Sequence, residues 1–273
     1  MEKRTSSRRS PALGLFVLGA VFSAQVRAQN ADELAKQLSN PIASLTSVPM
    51  QFNYDEGYGA DGDGNRFTLN IQPVIPVSIS RDWTMISRTI VPLISQDDVF
   101  AGAGSQSGLG DILQSLFFSP KALTESGWTW GVGPALMLRT ASDDLLGAGK
   151  WSAGPTAVAL KQTKEGWTYG VLVNHLWSFA GDDQRADVSA TFLQPFLSKG
   201  LGKGRTLTFN FESSYDWTGE NLTVPFNVSF SKVSRIGTQL VSYSGGVRYY
   251  VESPVGGPEW GLRFAFTLLY PKN

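Results

Sequence analysis

The segment over residues 259–270 constrains the fold more than any other stretch of this chain. Its even-numbered positions are all aliphatic or aromatic and share one face of an extended strand, with Trp260 and Tyr270 near the two ends. The opposite face carries glycine, alanine, threonine and the charged Arg263. A fully apolar face backed by an arginine suits a strand whose outer side contacts lipid better than a strand of a soluble core. The segment therefore predicts a transmembrane β-barrel.

The same two-residue alternation continues through the chain from Val48 onward. It divides into about twelve segments of about 9–14 residues, a length that suits tilted strands crossing a bilayer. The predicted strands cover residues 48–55, 66–80, 83–95, 109–119, 127–140, 150–161, 166–180, 186–199, 204–217, 221–232, 237–251 and 259–270. The sequence thus predicts an all-β fold: one antiparallel barrel of about twelve strands with a short N-terminal helix.

The first 28 residues have the layout of a secretory signal peptide, with a basic start, an apolar run of roughly thirteen residues and small residues before Gln29. The apolar run is shorter than the ~20 residues that a spanning helix needs. Residues 29–47 are predicted as an N-terminal periplasmic or plug segment. Apolar residues at helical spacing predict a helix within 31–46, which Asp32 would cap and Pro41 would keep short. Residues 48–273 are predicted as the barrel.

Composition excludes several function classes. The chain has no cysteine, so thiolate catalysis and cysteine-bound metals are excluded. Its formal net charge is +0, which provides no basic field for nucleic acid. Charged residues make up only 17% of the chain and aromatic residues 12%, as a lipid-facing wall with aromatic girdles requires. No cofactor is implied.

The connections between predicted strands alternate in charge and length. Acidic and longer connections, such as those holding Asp61 and Asp143, take turns with short basic ones, such as those holding Arg81 and Lys203. Long loops on one side and short turns on the other are typical of outer-membrane barrels. An even strand count then puts both termini on the short-turn side, which predicts that they are periplasmic.

Prolines inside predicted strands conflict with a regular closed wall, because each removes one hydrogen-bond donor. They are Pro73, Pro76, Pro92, Pro134, Pro155, Pro195 and Pro225. We expect bulges or local breaks in the wall near them. Such a break offers an apolar solute a sideways route into the membrane.

Four charged residues fall inside predicted strands: Arg88, Glu212, Arg248 and Arg263. The last three lie on faces opposite apolar residues, and an arginine facing lipid at mid-bilayer would cost ~2–4 kcal/mol, so they should point into the lumen. Two interpretations remain open. The charges pair with one another and fill a narrow barrel, or they form a constriction that selects solutes by charge.

Two further patterns are weaker. Asp61, Asp63 and Asn65 alternate as in a calcium loop, but the required glycine and the final glutamate are missing. They indicate an acidic surface loop, with weak cation binding as the alternative. His175 is the only histidine, with Asn174 and Ser178 nearby, and it shares a face with apolar wall residues. This indicates a wall residue rather than a catalytic one.

The end of the chain resembles the signal by which outer-membrane barrels are recognised for assembly, through Gly261, Phe264 and Phe266. The signal usually ends the chain, whereas this chain continues to Asn273. Longer stretches resemble a bacterial outer-membrane barrel family labelled "transporter" or "neuromedin U", related to the phenol meta-pathway degradation group. These stretches are residues 70–76, 87–92, 108–112, 117–121, 130–134, 149–155, 177–182, 193–196, 256–260 and 262–264. The resemblance implies an outer-membrane barrel that passes small solutes, aromatic or hydrophobic ones among them, and implies no catalytic site.

The sequence predicts a bacterial outer-membrane channel for passive or facilitated uptake of small solutes, and not an enzyme. Its expected partners are outer-membrane lipid and lipopolysaccharide, the barrel-assembly machinery and a small-molecule solute. One alternative is a barrel-wall enzyme that modifies lipids. The other is a structural or adhesion barrel with a plugged lumen.

Overall fold

The structure is a computed structural model that describes residues 31–271, so the predicted signal peptide lies outside the described residues. A helix, α1, covers residues 31–38. Fifteen strand segments follow: β1 (Thr46–Tyr58), β2 (Gly64–Ile71), β3 (Val74–Ser78), β4 (Trp83–Asp97), β5 (Ser105–Leu109), β6 (Ile112–Pro120), β7 (Trp128–Leu138), β8 (Lys150–Gln162), β9 (Trp167–Gly181), β10 (Ser189–Gly202), β11 (Arg205–Phe211), β12 (Ser213–Asp216), β13 (Asn221–Ile236), β14 (Gln239–Glu252) and β15 (Trp260–Tyr270).

These segments form one closed antiparallel barrel. Each strand pairs with the next along the chain, and β15 pairs with β1 from Thr46 opposite Tyr270 to Glu56 opposite Trp260. Three strands are broken in two, as β2/β3, β5/β6 and β11/β12, so the fifteen segments make twelve barrel strands. The predicted fold class and strand number are confirmed. In the described part of the chain, no helix has both the length and the apolar character needed to cross a membrane.

The last strand has the predicted two faces. The side chains of Trp260, Leu262 and Phe264 are exposed on the outer surface, whereas Gly261 and Thr267 are buried on the inner one. The inner face of the barrel is not polar throughout, however. On β8 and β9 it carries buried aliphatic residues such as Leu160 and Leu172. Part of the lumen wall is therefore apolar, although the inner faces of β8 and β9 also carry Thr156 and Asn174.

The prolines disturb the wall at some positions and not at others. Pro73 lies in the break between β2 and β3, and a bulge occurs between Val224 and Pro225. The break at Glu212 lies opposite this bulge, and it interrupts a strand that we predicted to be continuous. Pro195 pairs with Val171 of β9, but on its other side the pairing of β10 lacks residues 194–195, at the break between β11 and β12. Local breaks therefore adjoin several of the seven prolines.

Pro134 and Pro155 lie directly opposite each other on β7 and β8. The edge at which each lacks an N–H donor faces the next strand, which is β6 for Pro134 and β9 for Pro155. There the β6–β7 pairing lacks residues 116–117 opposite 133–134, and the β8–β9 pairing lacks 154–155 opposite 175–176. Two short gaps in the hydrogen-bond ladder therefore flank the proline pair.

The N-terminal segment packs inside one end of the barrel. Leu34 and Leu45 are buried against Val233 and Leu269, and Ile42 inserts farther along into an apolar cluster of the inner wall. Asp32 lies within α1, so the predicted cap is wrong. Its carboxylate instead accepts a 2.6 Å hydrogen bond from the Gly204 amide of a turn. The helix ends before Asn40-Pro41, because a residue preceding proline avoids helical geometry.

The connections lie on two rims. One rim holds loops 59–63, 98–104, 139–149, 182–188, 217–220 and 253–259, and we call it the acidic rim. The other holds turns 79–82, 121–127, 163–166, 203–204 and 237–238, together with α1 and the start of β1, and we call it the basic rim. The separation of charge is a bias, because Glu125 and Glu165 also lie on the basic rim.

Candidate functional site

Four charged side chains meet on the inner face of β1, β14, β15 and the break at Glu212. Arg263 donates two parallel hydrogen bonds to Glu212, each 2.7 Å long, from Nη1 to Oε1 and from Nη2 to Oε2. The Nη2 atom of Arg248 lies 3.5 Å from Glu212, and its Nη1 atom lies 3.2 Å from Oδ2 of Asp55. Three of the four sequence-predicted charges are thus brought together, in what we call the charge cluster: Asp55, Glu212, Arg248 and Arg263.

The charge cluster is largely shielded from solvent, with side-chain exposures between 7% and 18%. The paired geometry offsets the cost of removing these charges from water, and two-pronged arginine–carboxylate contacts are among the strongest of such pairs. Removing one partner would leave an uncompensated buried charge. The cluster consequently holds four strands in one register.

Asp55 is the member that sequence reasoning missed. The predicted strand 48–55 ends at Asp55, whereas β1 continues through it to Tyr58 and pairs it with Gly261. A signal was present, because Asp55 has the same strand parity as Gln51 and Asn53, opposite Phe52 and Tyr54. The carboxylate fits only because position 261 is glycine: a Cβ there would lie 2.4 Å from Oδ1 of Asp55.

Arg88 lies apart from the charge cluster. Its Nη2 atom donates a 2.8 Å hydrogen bond to Oε1 of Gln72, and no ion pair joins it to a carboxylate among the described residues. Glu212 acts on it only through the longer-range Coulomb field. The four predicted charges therefore do not form a single group.

The lumen contains two cavities. The larger, which we call the mid-barrel cavity, has a volume of about 500 Å³ and is lined by the charged residues Arg88, Glu212 and Arg263 and by apolar residues that include Phe117, Leu172 and Phe192. The second, the helix-side cavity, has a volume of about 310 Å³ and is bordered by α1 and the segment that follows it. Both cavities share a set of mostly polar lining residues, which we call the polar belt: Gln51, Gln72, Arg88, Gln194, Asn210, Ser229, Ser244 and Ala265.

The acidic rim is tied together across its loops. Asp111, at the break between β5 and β6, accepts hydrogen bonds from the amides of Ala141 and Ala148 in loop 139–149. Arg185 of loop 182–188 donates to the carbonyl of Gly147 in the same loop. Hydrogen bonding from the Lys150 ammonium, 3.0 Å away, holds the pKa of the Asp187 carboxyl below its usual range. These contacts give the long loops defined positions over the barrel mouth.

The remaining sequence candidates stay separate from the lumen. His175 bonds through Nδ1 to Thr191 and packs on Trp177 of the outer face, with ring centroids 4.0 Å apart. Ser178 bonds to Asp187 and to the amide of Val188, so no Ser–His pair forms. Asp61 and Asp63 are exposed. Within residues 31–271, no three His, Cys, Asp or Glu side chains converge to hold a metal ion.

Comparisons with known proteins identify solved structures with a similar fold. No protein-family model matches the chain, and no curated protein matches it. An outer membrane channel from Pseudomonas putida F1 superposes with a TM-score of 0.66 at 15% identity, over 83% of this chain and 96% of that one.

Two further solved structures align less well. The β domain of the Bordetella autotransporter Brka has a TM-score of 0.46 at 10% identity, over 83% of this chain and 100% of that one. Outer membrane phospholipase A from Escherichia coli has a TM-score of 0.43 at 12% identity, over 86% and 97%. At these identities the comparisons show fold alone. The chain has the fold of an outer-membrane β-barrel channel.

Proposed function

We propose that this protein is an outer-membrane channel for passive or facilitated uptake of small solutes, aromatic or hydrophobic ones among them. The observation that carries the proposal is the pair of cavities that meet at the polar belt inside the closed barrel. A solute that enters the mid-barrel cavity meets both buried apolar side chains and charged ones. The fold shared with an outer membrane channel supports the same function.

The proposed setting is the bacterial outer membrane, with both termini periplasmic and the acidic rim outside. The charge bias between the rims and the greater length of several acidic-rim loops support this orientation. We also propose membership of the "transporter" or "neuromedin U" barrel family, related to the phenol meta-pathway group. The sequence stretches that resemble that family support this assignment. The expected partners remain membrane lipid, lipopolysaccharide and the barrel-assembly machinery.

An enzymatic role has less support from the geometry. His175 lies on the outer face and bonds to Thr191, and its Nε2 atom has no hydrogen-bond partner. A Ser–His–acid arrangement would need that atom to contact a serine. We therefore propose that the protein is not an enzyme.

A barrel with a plugged lumen is the second candidate, and the position of Ile42 favours it. This residue is 5% exposed and packs in a cluster with Phe117 and Leu172, both of which line the mid-barrel cavity. Planar-bilayer recording of the refolded protein separates the two. Discrete conductance steps from the heat-modifiable, folded form support a channel, whereas a silent but folded barrel contradicts it.

A further inference from the structure

Among the residues that the structure describes, two arginines lie on the inner face outside the charge cluster. Arg66 lies opposite Asp55 and donates a 2.8 Å hydrogen bond to Gln96, whereas Arg88 is the one that lines both lumen cavities. A guanidinium carries five N–H donors in a planar fork. Only Nη2 has a protein partner, Gln72. Glu212 is already taken by two hydrogen bonds from Arg263 and a contact with Arg248, so it has no short contact left for Arg88. Arg88 therefore presents unused donors to the lumen.

The charge of Arg88 is not paired within the charge cluster. The two carboxylates of the charge cluster, Asp55 and Glu212, are in ion-pair contact with Arg248 and Arg263. Arg88 has only Gln72 as a side-chain partner, so its positive charge is a local surplus beside the mid-barrel cavity. A shielded cation that lacks a counter-charge favours an anionic ligand.

The position of Arg88 relates this charge to the path of a solute. Arg88 borders both the mid-barrel cavity and the helix-side cavity, so it lies where the two meet. The lining of the mid-barrel cavity also includes buried apolar side chains. Among them, Phe117, Leu172 and Leu176 are between 1% and 5% exposed. The cavity thus presents an apolar wall and a cationic end within about 500 Å³.

We propose that the mid-barrel cavity is a binding site for a small amphipathic carboxylic acid. Arg88 binds the carboxylate through its free donors, and the apolar tail lies against Phe117, Leu172 and Leu176. A carboxylate matches this site better than a phosphate does, because its two oxygens and single charge fit one guanidinium edge and one surplus positive charge. This inference rests on the proposed channel function and names the solute class of its central cavity.

The test measures binding rather than passage. Octanoate and 1-octanol, which have the same chain length, compete with a neutral fluorescent apolar probe for the folded full-length protein in detergent. Arg88→Gln should weaken octanoate binding by about tenfold or more, since it removes a charged hydrogen-bond partner, and should leave 1-octanol binding unchanged. Arg235→Gln, on an exposed rim turn, is the matched control and should change neither. Equal effects of Arg88→Gln on both ligands, or no effect, would overturn the assignment.

Wild-type protein provides a test that does not depend on folding of the variant. Rising chloride should displace octanoate and not 1-octanol, because only the acid uses the cationic end of the cavity. Insensitivity of octanoate binding to chloride would contradict the proposal. A protein that binds octanoate yet conducts no ions would retain this site while overturning the channel. A conducting protein without an Arg88-dependent preference for octanoate would support the channel and overturn the binding site.

Discussion

At the scale of single residues, the charge cluster depends on a glycine that makes room for a carboxylate. A Cβ at Gly261 would lie 2.4 Å from Oδ1 of Asp55 and 2.5 Å from the carbonyl oxygen of Tyr54, and the carbonyl belongs to backbone that cannot easily move. Gly261→Ala should therefore lower the folded fraction of the barrel. The measurement is heat-modifiable migration of refolded protein.

Gly245 on the neighbouring strand β14 is the matched control. A Cβ there meets no heavy atom within 4 Å, so Gly245→Ala should fold like wild type. If both alanine variants fold equally well, the close approach at Gly261 does not limit assembly. Its resemblance to part of an assembly signal would then need another explanation.

Ion preference should follow the charge of the same region. Arg263→Glu replaces a positive charge of the lumen with a negative one, so the net charge of this region falls by two elementary charges. We expect the ion preference to shift from anions toward cations in the variant, as reversal potentials under a salt gradient would show. Arg235→Glu, on the rim, is the control. An unchanged ratio with intact conductance would mean that the cluster only fills and braces the barrel.

At the scale of elements, the proline pair weakens two neighbouring strand contacts. Pro134→Ala and Pro155→Ala each restore an N–H group beside a ladder gap. If apolar solutes leave sideways through these gaps, the double variant should slow the entry of a neutral apolar dye into liposome membranes while ionic conductance persists. Pro195→Ala is the control for position, because the gap beside Pro195 lies at the break between β11 and β12 and not at this proline pair. Equal dye transfer in all three proteins would contradict a sideways route.

The final strand should matter for assembly beyond its share of the wall. Phe264 and Phe266 lie opposite Phe52 and Met50 of β1, at the pairing that closes the barrel. Replacing both phenylalanines with alanine should reduce the amount of folded barrel in the outer membrane. Phe211→Ala with Phe230→Ala removes two outward-facing aromatic residues elsewhere and is the matched control. Similar losses in both double variants would show that Phe264 and Phe266 are ordinary wall residues.

At the scale of the whole molecule, the two rims define an orientation that labelling can test. A tag inserted at Gly62, where a side chain would meet nothing within 4 Å, or at the exposed Asp143, lies on the acidic rim. We expect both tags to be accessible on intact cells, and a tag after Asn273 to require permeabilised cells. Surface labelling of the C-terminal tag alone would reverse the proposed topology.

The sequence by itself determined the barrel and the number of its strands. A two-residue period with lipid-suited aromatic faces, as in Trp260 to Tyr270, is a local property that needs no distant partner to be recognised. It also placed Glu212, Arg248 and Arg263 on the inner side, because facing lipid would be costly. Where the inner face also carries apolar residues, as at Leu160 of β8 and Leu172 of β9, the two-residue period does not show which side faces the lumen. The apolar part of the lumen was therefore missed.

Only the tertiary structure decided which charges meet. Asp55 and Arg248 are 193 positions apart, and their contact depends on barrel closure and on the register between β14, β15 and β1. The same register separates Arg88 from the charge cluster and leaves its donors beside the cavity. The prolines show the same limit. Their missing N–H groups are evident in the sequence, but whether each loss opens the wall depends on the neighbouring strand. Pro134 and Pro155 face gaps on either side of one strand pair, whereas the gap beside Pro195 coincides with the break between β11 and β12.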